Sequence, residues 1–208
     1  VPHKYHGGTR KQGVACTTGP VGVVAAWLII GASWALNTSW FAWTRDAYSD
    51  LGGPRSCCPT LYNAGLALVG ALLIAYGACL ASCLPSRLGA VGAGYLALDG
   101  VFLALIGYYH EGTRPHVFVS SWFFVQADVA LILALYDAYR SGRGTPCLAV
   151  LVLSVAAFPV AVLVGVLWGW PSAAVLETYG IIIIDVGVLA LYSYCTRRAG
   201  MGERMRIL

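Results

Sequence analysis

An all-α polytopic membrane protein, a bundle of six transmembrane helices with both termini cytoplasmic, is the fold this sequence predicts, on three observations. Hydrophobic residues make up 59% of the 208 and charged residues only 11%, with a mean hydropathy of +0.73, which excludes an ordinary soluble domain. Six apolar runs of roughly 22–24 residues follow one another, each long enough to cross about 30 Å of hydrocarbon as a helix. All 13 Lys and Arg residues fall outside those runs, and they favour alternate loops.

The elements follow in order. Residues 1–20 (VPHKYHGGTRKQGVACTTGP) form a polar, basic tail in which His3 and His6 read as tail residues. The first span, 21–43, carries Trp40 and Trp43 at its interfacial end, and its length exceeds a signal-peptide core, so no cleaved signal is expected. The second, 61–84, carries Gly65, Gly70 and Gly77. The third, 88–109, opens with Gly89/Ala93 and Ala90/Gly94, small residues four apart that let helix backbones approach closely. These two spans are predicted to be central.

The fourth span covers 116–139. The fifth, 147–170, has Ser154 as nearly its one polar group and Pro159 inside it, the pattern of a kinked, lipid-facing helix. Trp168, Trp170 and Pro171 mark an interface and a tight turn into the sixth span, 173–195, after which residues 196–208 form a second basic tail. With loops this short, there is no room for a separate soluble domain.

Loop charge sets the expected orientation. Lys4, Arg10, Lys11, Arg87, Arg140, Arg143, Arg197, Arg198, Arg204 and Arg206 lie on one side, and Arg45, Arg55 and Arg114 on the other. That bias places both termini in the cytoplasm of a multi-pass cell-membrane protein. The formal charge of +4 is then topology signal, and calls for no nucleic-acid partner. The partner it does require is the lipid bilayer. Of the seven cysteines, Cys16, Cys79, Cys83, Cys147 and Cys195 sit near predicted cytoplasmic ends and read as small packing residues or reduced thiols. Cys57 and Cys58 stand alone on the outer side, free or bridged to another chain.

Two sets of residues carry the chemistry. Asp99, Asp128 and Asp185 lie near the middle of the third, fourth and sixth spans, with no Lys or Arg in any span. A carboxylate at that depth costs roughly 2.5–3.5 kcal/mol, so it faces the bundle interior and is protonated, paired or cation-bound. The functional reading is a ligand or cation site; the structural one is interhelical hydrogen bonding. The second set comes from two outer loops, TRDAYSDLGGP and GYYHEGTRPH. They supply Asp46, Ser49, Asp50, His110, Glu111, Arg114 and His116, with Glu177 one turn into the sixth span from the same side. Histidines beside carboxylates suit a metal site, with His110, His116 and Glu111 as ligands, or an acid/base pair. A solvated loop pair with Arg114 on Asp50 or Glu111 is the alternative.

The runs YSDLGG, LYNAGL and YYHEGTRPHVFVSSWFF resemble a prokaryotic six-span integral membrane family catalogued as a domain of unknown function, number 998. The resemblance covers about residues 20–195 and rests on Ser49, Leu51, Gly52, Asn63, Gly65, Glu111, Gly112, His116 and Ser120. It implies that Ser49, Glu111 and His116 form a shared outward feature, and it implies no activity. Tyr108, Tyr109 and His110 depart from the family's Phe-Pro before Glu111, which weakens the case for His110.

Together these features favour binding over catalysis: a small ligand, lipid or cation held in an outward-opening pocket by Asp99, Asp128, Asp185, Glu177 and Asp50. One alternative is an accessory or structural subunit, in a homo-oligomer or a larger membrane complex. The other is an outer-leaflet lipid hydrolase using Ser49, Glu111 and His116. No motif names a cofactor.

Overall fold

The chain folds into six long helices: α1 (Thr18–Leu36), α2 (Pro59–Cys83), α3 (Arg87–Tyr108), α4 (His116–Ala138), α5 (Thr145–Leu167) and α6 (Ala173–Ile207). This is a computed structural model that describes residues 16–143 and 145–207, and no strand occurs among them. All six helices are long and apolar enough to cross a membrane. Their alternation gathers residues 37–58, 109–115 and 168–172 at one end of the bundle, the loop end. Residues 84–86 and 139–143 lie at the other.

Local chemistry explains the boundaries. Pro59 opens α2, where a missing N–H costs nothing, and Pro85 follows its end. Ser86 caps α3, its hydroxyl oxygen accepting from the Leu88 and Gly89 N–H groups at 3.1 and 3.4 Å, while Asp137 of α4 accepts the Ser86 hydroxyl proton. The first helix stops at Leu36, seven residues short of the expected end, and Asn37 is the reason. Its side chain, 1% exposed, donates to the Ser33 carbonyl (2.8 Å) and the Ser56 hydroxyl (3.2 Å), and accepts from Trp40 Nε1 (3.1 Å) and Cys57 N (2.9 Å). That fourfold engagement folds residues 37–43 across the bundle end. The sixth helix, by contrast, continues past Cys195 to Ile207.

The centre is built on glycine. A Cβ on Gly70 would stand 2.4 Å from the Gly100 carbonyl oxygen, and one on Gly100 equally close to that of Gly70. The α2 and α3 backbones therefore touch directly. Gly92 brings α3 onto α4 in the same way, against the Ala134 amide and Ala130 carbonyl. Gly89 and Ala93 face inward as part of this seam, whereas Ala90 and Gly94 are exposed. The fifth helix is peripheral: Val152, Val155, Phe158, Leu163 and Val166 are all more than half exposed, and the helix runs unbroken through Pro159.

The cysteines require a correction. Cys16 pairs with Cys79, and Cys83 with Cys195, so four of the residues read as packing or reduced thiols are disulfide-bonded. The partners are 63 and 112 residues apart, and only the convergence of the α1, α2 and α6 ends brings them together. Cys147 is free and buried, and Cys57 and Cys58 are free and exposed.

Candidate functional site

The loop end is organised around a short 3-10 turn, Tyr48–Gly52, whose Tyr48, Ser49, Leu51 and Gly52 are buried. Three contacts fix it. The Tyr48 N–H donates to Glu177 Oε2 on α6 at 2.8 Å; the Ala47 N–H donates to Asp50 Oδ2 at 2.8 Å; and Asn63 Nδ2 of α2 donates to the Gly52 carbonyl at 2.9 Å. Beside it, Trp43 Nε1 donates to Thr178 Oγ1 (2.9 Å), and the Ala174 N–H donates to the Asp46 carbonyl (3.0 Å). Arg45 donates to the Asp46 carboxylate and, by a hydrogen bond first of all, holds it below the usual carboxylate range. Cys58, by hydrogen bonding, pushes the neighbouring Cys57 thiol up.

Ser49, Glu111 and His116 meet here. Glu111 Oε2 accepts the Ser49 hydroxyl at 3.3 Å and lies 3.0 Å from His116 Nε2. His116 Nδ1 lies 2.7 Å from the Tyr109 carbonyl, which can only accept, so that nitrogen carries a hydrogen. His116 is 4% exposed; Glu111 is half-buried. The order is serine, carboxyl, histidine, so Ser49 meets Glu111 and not the imidazole.

The other predicted loop residues lie outside this contact. His110 is exposed, its Nδ1 at the Glu111 backbone carbonyl (2.8 Å), and among the described residues no three His, Cys, Asp or Glu side chains converge as a metal-ligand set. Arg114 makes no ion pair among the described residues, and the carboxylates it was expected to meet are occupied by His116, Ser49 and the Ala47 amide.

Below the turn, a cavity of about 110 Å³ runs between α1, α2, α3, α4 and α6. Tyr48, Ser49 and Glu177 line it at the loop end, Asp185 lower down, and Gly19 near the opposite end; the rest of its wall is mostly apolar. Asp185 Oδ2 accepts Trp27 Nε1 of α1 at 2.7 Å. A second, larger cavity of about 470 Å³ lies between α4, α5 and α6 and is lined by Asp128, Glu177 and Tyr179. Ser120, Phe124, Glu177 and Ile184 belong to both walls.

The three midplane aspartates are thus divided. Asp185 lines the inner cavity and Asp128 the outer groove. Asp99 lines neither; it is fully buried, and both its carboxyl oxygens lack a hydrogen-bond partner among the described residues. Sequence reasoning did not find Trp27, Tyr48 or Thr178 as partners of this region. Only the interfacial character of Trp43 gave a hint.

No curated protein and no solved structure matches the chain. A family model does, over residues 20–194, which is nearly the whole bundle. The chain is a multi-pass membrane protein and belongs to the family described as "Protein of unknown function (DUF998)".

Proposed function

We propose that the protein binds one end of an amphiphilic small molecule or lipid in the inner cavity, with the ligand's polar group at the loop end and the adjoining apolar segment along α1, α2 and α4. In this reading the loop end faces outward, because ten of the thirteen basic residues belong to the opposite side. One observation carries the proposal: a cavity with a mostly apolar wall passes two carboxyl groups, Glu177 and Asp185, and reaches a buried serine, Ser49. A site with apolar walls and a few placed polar groups orients an amphiphile. Its volume also accommodates several waters, which would hydrate the two acids when no ligand is bound. Asp50 supports the turn that shapes the polar end. Asp99 takes no part.

Catalysis by Ser49 is the weaker reading. Its hydroxyl donates to a carboxyl that is already engaged with His116, so the serine does not meet the imidazole as in a serine–histidine pair.

Native mass spectrometry of the protein gently extracted from its own membrane tests the proposal. A retained lipid or small molecule is expected, and Ala26→Phe, which places a ring in the cavity, should reduce that adduct at least about tenfold. A chain that carries no such adduct, and instead a second polypeptide at fixed ratio, makes it an accessory subunit.

A further inference from the structure

The groove between α4, α5 and α6 shares one wall with the inner cavity but is otherwise lined by different residues. Its volume of about 470 Å³ falls within the roughly 300–1,000 Å³ of small-molecule pockets. Phe158, Val162 and Leu176 line it and are themselves exposed on the outside of the bundle, so the groove opens sideways, where a spanning protein meets lipid. Whatever enters must come from the bilayer and be largely apolar.

Its polar content is one-sided. Asp128 and Glu177 are the carboxyl groups of the lining, and among the described residues no Lys, Arg or His accompanies them. Glu177 Oε2 is engaged by the Tyr48 N–H, whereas Asp128 Oδ1 is buried and lacks a partner among the described residues. Three donors of the wall are committed elsewhere. The Tyr179 hydroxyl donates to the Ala157 carbonyl (2.9 Å), Trp170 Nε1 to the Ala161 carbonyl (3.0 Å), and the Ser120 hydroxyl to the His116 carbonyl (2.8 Å). Ser121 stands two turns before Asp128 on the same helix. A buried acceptor that no donor of its own wall engages is matched by a ligand that brings one.

Phe124, Phe158, Trp170 and Tyr179 add aromatic rings to the same lining, and aromatic faces attract cations. We propose that this groove binds a lipophilic amine from the bilayer, its nitrogen held at Asp128 and its apolar body along Phe158 and Val162. The amine and carboxyl together carry no net charge whichever of them holds the proton, so the pair suits hydrocarbon. An anionic amphiphile would meet two acids and no base.

Asp128 and Ala161 line this groove alone and Ala26 the inner cavity alone, so the experiment separates the two. Protein in phosphatidylcholine nanodiscs is titrated with dodecylamine, 1-dodecanol and dodecanoate, using protein-free discs to subtract partitioning. Saturable dodecylamine binding at least about tenfold tighter than that of the alcohol or the acid is expected. Asp128→Asn should abolish that preference and Ala161→Phe should block the groove, while Ala26→Phe, in the inner cavity, should leave it intact. Equal binding of amine and alcohol overturns the proposal, as does an amine preference that survives both Asp128→Asn and Ala161→Phe. Amine preference with no adduct in the inner cavity would overturn the proposed function alone.

Discussion

His116 Nε2 lies 3.0 Å from Glu111 Oε2, and this contact closes the loop between α3 and α4 onto the turn at Ser49. The histidine is buried and its other nitrogen is committed to the Tyr109 carbonyl. Removing the imidazole leaves that carbonyl without a partner and Glu111 with Ser49 alone, at a cost of about 1–3 kcal/mol. His116→Ala should therefore lower the thermal midpoint in detergent, and Glu111→Gln, which keeps an acceptor oxygen, should lower it less. His110→Ala, at an exposed position, should leave it unchanged.

The α2–α3 seam gives a sharper test. Gly100→Ala drives a methyl group into the Gly70 carbonyl, and backbone cannot yield as a side chain can. A loss of about 1–3 kcal/mol is expected from forced separation of the two helices. Gly94→Ala, on the same helix with nothing within 4 Å of the added atom, should be neutral. Equal melting of the two variants would refute the direct backbone contact.

Asp99 and Asp185 should respond oppositely to the same substitution. Asp99→Leu removes two buried oxygens that lack partners, so it should be neutral or stabilising. Asp185→Leu orphans the Trp27 indole N–H and should cost about 1–3 kcal/mol. Thermal unfolding of the two variants side by side checks the contrast, and a large loss for Asp99→Leu would show a hidden partner.

Thiol labelling reads both the disulfides and the orientation. Cys57 and Cys58 are exposed at the loop end, whereas Cys16, Cys79, Cys83 and Cys195 are paired at the other. In intact cells an impermeant maleimide should label Cys57 and Cys58. After denaturation without reductant, Cys147 should be the one further thiol to react among the described cysteines. Labelling of the loop end only from the cytoplasmic side would reverse the orientation.

Periodicity and length made the helices legible because hydrophobic thickness sets a span directly. The second, third and fourth spans begin and end within two residues of expectation. The first did not, because the bonds that end it run from Asn37 to Ser56 and Cys57, some twenty residues on. The same limit hid Trp27 from Asp185, 158 residues away, and each cysteine from its partner. The grouping of Ser49, Glu111 and His116 was implied by the family resemblance, whereas the two loops by themselves offered Asp46, Asp50, His110 and Arg114 on equal terms. The division of the three aspartates was not legible: depth follows from counting residues, but rotation about a helix axis follows from packing.

Cys83–Cys195 closes a ring of chain that holds α3, α4, α5 and α6 as far as Cys195, and Cys16–Cys79 closes another that holds α1 and most of α2. The first, second and sixth helices thus make a covalent frame at one end of the bundle, and the glycine seam adds α3 to it. The fifth helix belongs to neither the frame nor the seam. If this bundle breathes to admit or release a ligand, α5 is the shutter and the frame is the jamb, so the passage widens toward the surrounding lipid before it widens along the bundle axis.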